Sequence, residues 1–275
     1  MLRKILFLLV LFPALSYAQY EDKQYVALGN AYSQGFIFEG GLNYERAKFF
    51  QSGSNREQID NNQLGFRLKA EYGIFPTLKV HTEFNTKNLS VQNGKLGVKY
   101  EIPLATFSKD KQKNSFVMVI APQVDFNFPL WRYETESTRA IGNRPLGFTF
   151  GSTFWFPIYK INMDIRLWAA YNLIFSPIPN NFNLKGQIGK QIKSFYVAAH
   201  YDWQKSFGAG DYFGGFSTFR ELPITWNKAG LDVVYTHKFI FDVGLQGNYM
   251  FKGFNTRRAL FLELRFAYFF ATGGR

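Results

Sequence analysis

Residues able to do chemistry are few in this chain. His81, His200 and His237 are its only imidazoles, and cysteine is absent. No thiolate nucleophile, disulfide framework or cysteine-based metal site can form. An acyl hydrolase needs a nucleophile and a base within hydrogen-bond reach, and no family Ser/His signature accompanies any of the three histidines. His81 and His200 have acidic or amide neighbours, which suits a polar network better than a general base. The expectation is a non-enzyme with no catalytic residue, no metal and no cofactor. One acidic pair is a possible exception. The tightest closure at Thr236-His237-Lys238 sets Asp232 against Asp242, where two carboxylates would raise one pKa or hold a divalent cation. A longer turn would shift the register and separate them, and that alternative is favoured.

The other ionisable groups recur at every second position of polar stripes. The cations are Arg67, Lys69, Lys79, Lys95, Lys99, Arg166, Lys185, Lys228 and Arg265. The anions are Glu39, Glu71, Glu83, Glu101, Asp125, Asp164, Asp202, Asp232, Asp242 and Glu263. The two sets nearly balance, so the excess behind a net charge of +12 falls mostly in loops, turns and ends. If these stripes share an enclosed space, Arg67, Lys69, Glu71, His81, Glu83, Lys99, Glu101, Asp125, Asp164, Arg166, Lys185, His200, Asp202, Glu263 and Arg265 line it. Such a lumen is either a hydrated channel with a transverse field or a barrel plugged by ion pairs. The channel is preferred, with a structural or surface-binding barrel as the alternative and a barrel enzyme acting on outer-membrane lipid behind both.

The elements that carry these residues are read from a period of two. From Ile161 to Phe175 the odd positions are apolar, while the even positions begin Asn162, Asp164, Arg166. Leu260, Leu262, Leu264, Phe266, Tyr268 and Phe270 likewise oppose Glu263 and Arg265. About twelve such segments begin near residues 35, 63, 78, 95, 115, 146, 161, 182, 195, 226, 239 and 259. Most match the roughly 9–11 residues of a tilted membrane strand and exceed the five or six usual in soluble sandwiches. The chain is 47% hydrophobic and 19% aromatic, yet its mean hydropathy is only −0.17, as expected when apolar residues alternate with polar ones. Pro122 interrupts one segment, where a bulge is expected.

Connections test the register. Folding at Phe75-Pro76-Thr77 sets Lys69 against Glu83 and Glu71 against His81. Folding at Lys193-Ser194 sets Lys185 against Asp202 and Gln187 against His200. Tyr159-Lys160 is a third short link, and Ser108 to Asn114 is somewhat longer. The long links, Gln51 to Asn62, Trp131 to Pro145 and Gly208 to Pro223, all fall at the opposite end. The fold class expected is all-β: an antiparallel transmembrane barrel of about twelve strands with short periplasmic turns and longer external loops.

In strand pattern, residues 35 to 270 resemble the small Gram-negative outer-membrane barrels, including transporters loosely grouped with phenol-degradation-pathway porins. The resemblance implies passive passage of small solutes across a bacterial outer membrane. Such barrels often end on an aromatic residue, whereas here Phe270 is followed by Ala271 to Arg275.

The N-terminus agrees with export. Arg3 and Lys4 precede an apolar run from Ile5 to Leu15, and Ser16-Tyr17-Ala18 offers a cleavage site before Gln19. That run is about half the roughly twenty residues of a spanning helix. The expected division is a signal peptide at 1–18, a periplasmic tail, plug or first-strand extension at 19–34, a barrel at 35–270 and a tail at 271–275. Partners expected are outer-membrane lipid and lipopolysaccharide, with Arg132, Arg139, Arg144, Lys252, Arg257 and Arg258 in external loops. A small-molecule solute passes through; neither it nor the oligomeric state is specified. No nucleic-acid motif occurs. Trp131, Tyr133, Trp203, Phe207, Trp226, Phe251 and Phe254 are expected in an outer aromatic girdle, with Tyr159, Tyr235 and Phe239 in an inner one.

Overall fold

Alternation of apolar and polar residues selects strands, because successive side chains of a strand point to opposite faces. The computed structural model describes residues 35–52, 54–75, 77–88, 90–107, 116–132, 145–175, 177–208, 219–237 and 241–271. Among these residues thirteen strands form, and every pairing is antiparallel: β1 (Gly35–Ser52), β2 (Asn55–Gly73), β3 (Leu78–Lys87), β4 (Ser90–Tyr100), β5 (Ile102–Phe107), β6 (Phe116–Pro129), β7 (Gly147–Ile158), β8 (Met163–Ile174), β9 (Asn181–Ile192), β10 (Phe195–Ser206), β11 (Thr225–His237), β12 (Phe241–Phe254) and β13 (Thr256–Ala271). Sequence neighbours pair around the sheet and β1 pairs with β13. Only Glu101 separates β4 from β5, and both pair with β6. They make one wall position, so the sheet closes as a twelve-strand barrel. Closure removes the sheet edges and pairs the backbone within the wall, as a hydrocarbon environment demands.

The two faces are inverted relative to a water-soluble protein. Leu167 and Leu264 keep 48% and 52% of their surface exposed on the outside, while Asp125, Asp164, Asp232 and Asp242 are buried. The hydrophobic effect alone would reverse that arrangement in water. It is the expected state where the outer surroundings are acyl chains.

Several links differ from expectation. Most of residues 51–62 are not a loop: β1, 18 residues long, runs to Ser52 and β2, 19 residues long, starts at Asn55, with a turn at Ser54. The stretch Asn55–Asn62 is polar on both faces apart from Ile59, which packs inward on Ala47, Phe50 and Ala259. A strand standing in water needs no apolar outer stripe, so the pattern that marks membrane strands fades there. At the same rim Asn88 and Asn255 adopt φ of 48° and 52° in abrupt turns, a conformation that asparagine tolerates. The strand ends joined by the three longer links, Pro129 and Gly147, Ile174 and Asn181, and Ser206 and Thr225, are also at this rim. Both ends of the barrel chain lie at the other.

The opposite rim also carries tight turns. Lys193-Ser194 forms one, with Lys193 at φ 55°, whereas Ile161 belongs to the 3-10 turn Tyr159–Ile161 and β8 begins two residues later. The bulge expected at Pro122 does not occur: Pro122 pairs with Ser152 in unbroken register. The missing N–H is felt in the other neighbour instead, where pairing lapses between Lys99–Gln123 and Ile102–Ile120. There the Glu101 N–H donates to the Thr77 carbonyl, 2.7 Å away. Residues 1–34, 108–115 and 272–275, which include the expected export signal, the 19–34 segment, one link and most of the tail, lie outside the described residues.

Candidate functional site

The polar stripes converge on the concave face of the barrel. Several of their side chains meet over an intervening strand, which only an inward direction allows. Arg67 on β2 pairs with Glu39 on β1 and reaches Glu263 on β13 at 2.8 Å. Gly41 lies between them; a Cβ there would stand 2.6 Å from the Glu263 carboxylate, so the missing side chain leaves room for the guanidinium to cross.

Beside this group Lys69 is 3.3 Å from Glu71, and Lys99 reaches Glu71 at 3.6 Å and Glu101 at 3.4 Å. Lys79, fully buried, reaches Glu101 at 2.8 Å. Glu83 accepts from Asn85 at 2.9 Å and is 4.0 Å from Lys95. His81 is 3.0 Å from Asp125, across β4.

A second group is built on β7 to β10. Asp164 accepts from Arg166 Nε at 2.6 Å, Trp155 Nε1 at 3.0 Å and the Tyr196 hydroxyl at 2.7 Å. Gln187 donates to that hydroxyl at 3.0 Å. The Arg166 guanidinium stands over the Trp155 and Tyr196 rings at 5.8 and 5.6 Å. Towards the rim of longer links the wall is lined by neutral groups: Asn127 donates to Thr149, Thr149 to Asn172, and Asn172 to Asn181, at 2.5–2.9 Å.

A third group joins β9 to β13. Asp202 faces Lys185 in register with a 4.0 Å ionic separation, and Lys228 reaches it at 3.1 Å. Asp232 pairs with Arg265, and His200 meets Asn248, each over an intervening strand. Opposite charges facing along a wall contribute about 0.2–1 kcal/mol per pair.

The expected registers Lys69–Glu83, Glu71–His81, Lys185–Asp202 and Gln187–His200 are all present. The acidic pair separates as the longer turn requires: Asp232 faces Gln246, and Asp242 faces Thr236. Among the described residues no three His, Cys, Asp or Glu side chains gather as a metal site. The partners of His81 and His200 are a carboxylate and amides, an arrangement that holds an imidazole in a network.

Four placements are corrected. Trp226 does not belong to the outer girdle; it shares the face of Lys228, whose ammonium is 4.8 Å from its ring. Arg257 is not an external-loop residue: it lies in β13 and reaches Glu45 at 3.3 Å. Aromatic and basic residues near a strand end suit either the girdle or the interior, and parity places both of these inside. Nor are Arg258 and Lys252 loop residues: Arg258 is in β13 and donates to Gln51, and Lys252 is in β12, facing Asn227. Arg139, Arg144, Tyr133 and Phe239 lie outside the described residues. Glu45 itself, held by Lys87 at 2.8 Å as well as by Arg257, was missed. Its odd position continues the series Glu39, Gly41, Asn43 and would have revealed it.

Neither a protein-family model nor a curated protein matches the chain. Solved structures do. The COG4313 outer membrane channel from Pseudomonas putida F1 superposes with a TM-score of 0.68 at 9% identity, covering 90% of this chain and all of that one. The KdgM porin gives 0.51 at 8% identity over 84% of this chain and 98% of its own. The NanC porin gives 0.51 at 13% identity over 85% and 98%. At these identities the likeness is one of fold alone: a closed antiparallel β-barrel.

Proposed function

We propose that this chain sits in a bacterial outer membrane and passes small solutes passively through its charged interior. Its signal peptide, 1–18, is removed on export, and the rim carrying both barrel ends faces the periplasm. The observation that carries the reading is the pairing of an apolar exterior with an ionic interior whose bonds follow the wall. Every ion pair named above lies within one strand or reaches no further than the next strand but one. Bonds of that reach brace the lining and leave the middle to water, unlike a plug tied from side to side. Twelve strands enclose more space than the small barrels that side chains fill.

A kinship with transporters grouped with phenol-degradation-pathway porins belongs to the same proposal and rests on strand pattern. So does an outer leaflet of lipopolysaccharide, whose phosphates the exposed Arg132 and Lys252 are suited to meet. The porin and channel neighbours favour transport over enzymatic action. Purified barrel added to planar lipid bilayers tests the reading. Stepwise current openings support it; a correctly folded but silent barrel replaces it with a structural or surface-binding role. Hydrolysis of outer-membrane lipid in detergent, lost on changing His200 or His81, would replace it with an enzyme.

A further inference from the structure

The two signs of charge do not reach equally far into the barrel. Lys185 keeps 33% of its side chain accessible against 10% for Asp202, Lys69 25% against 2% for Glu71, and Arg166 20% against 3% for Asp164. The same order holds in every ion pair named above except Lys79–Glu101, where the lysine is the buried partner. The cause is side-chain length. Aspartate and glutamate end close to the wall, where neighbouring strands hold them. Lysine and arginine lay their stems along the wall and carry the charged head towards water.

From this ordering we infer that the interior, nearly neutral by formal count, presents a positive surface and selects small oxyanions, carboxylates and phosphates among them. The inference rests on the channel reading. A solute in the barrel meets ammonium and guanidinium donors first, with each carboxylate behind its own cation. Low-dielectric walls focus that field along the axis. Ammonium and guanidinium groups bind oxyanions through short charge-assisted hydrogen bonds, and the planar guanidinium takes them in pairs. Lys185 and Lys95, each only 4.0 Å from its carboxylate and among the most accessible cations, are the foremost donors.

The test is the reversal potential of the reconstituted full chain across a potassium chloride gradient. Chloride permeating in preference to potassium is expected; equal permeation or a potassium preference overturns the inference. A silent barrel overturns the channel reading instead, so the two failures are distinguishable. Lys185→Gln and Lys95→Gln should each lower the chloride-to-potassium ratio by roughly twofold, since each removes one focused charge. Lys190→Gln, on the outward face, should leave it unchanged. A gel shift between boiled and unboiled samples confirms that each variant is folded, and if one is not, the parent's reversal potential still decides. Sodium succinate and inorganic phosphate, added to one side, identify the oxyanion. Reduction of the chloride current by both supports the shared chemistry, by one names the preferred class, and by neither overturns the assignment to oxyanions.

Discussion

The hydroxyl of Tyr196 donates to the carboxylate of Asp164 at 2.7 Å although β9 lies between their strands. Both side chains are buried, and Gln187 of the strand between donates to the same hydroxyl. Three staves are thus tied on the inner face. Tyr196→Phe removes the donor and should destabilise the barrel by about 1.5–3 kcal/mol, the range for a hydrogen bond to a charged group. Urea unfolding in lipid vesicles measures it; an unchanged midpoint would show that this tie does not hold the wall.

Glu45 should behave similarly for a different reason. It is the shared counter-ion of Lys87 and Arg257. Glu45→Gln leaves two partly buried cations with a neutral amide, and a loss of about 1 kcal/mol is expected because both remain partly hydrated. A double change with Lys87→Met should recover part of that loss. Additive losses would argue against a shared cluster.

The outward face makes the opposite demand. Leu167→Arg or Leu264→Arg places a guanidinium against acyl chains and should cost about 2–4 kcal/mol if the site is near the bilayer midplane. Gln187→Arg, on the inner face of the same wall, should cost much less. Comparable losses at all three positions in vesicle unfolding would reject the assignment of faces.

Charge reversal inside should change what permeates. Lys185→Glu and Arg166→Glu each replace an accessible cation with an anion, so the reversal potential in a salt gradient should move towards cation preference. Identical potentials for parent and both variants would exclude these two side chains from the conducting path.

How far these features were legible depends on where period two holds. Within the wall, parity alone separated Leu167 from Arg166 and Leu264 from Arg265. A short turn at residues 75–77 was then enough to align Lys69 with Glu83. Beyond the membrane the outer stripe loses its reason to be apolar, and residues 51–62 read as a loop although 51–52 and 55–62 are strand. Trp226 and Arg257 were misplaced because aromatic and basic residues near strand ends have two destinations, the girdle or the interior, and composition does not choose between them. Pro122 was expected to add a residue to its strand. Proline removes a donor without adding length, so the lapse appeared opposite it, at Glu101. The unequal reach of cations and carboxylates was invisible to charge counting, because it depends on side-chain length in a closed wall.

The absence of cysteine allows one direct test of the central claim that the inner face borders a water-filled path. Lys185→Cys and its neighbour Leu184→Cys are recorded as single channels before and after a bulky, negatively charged thiol reagent. The account predicts a drop in unitary conductance for Lys185→Cys and no change for Leu184→Cys, which is exposed on the outer face. An equal response at both positions, or a folded barrel that never opens, would contradict it.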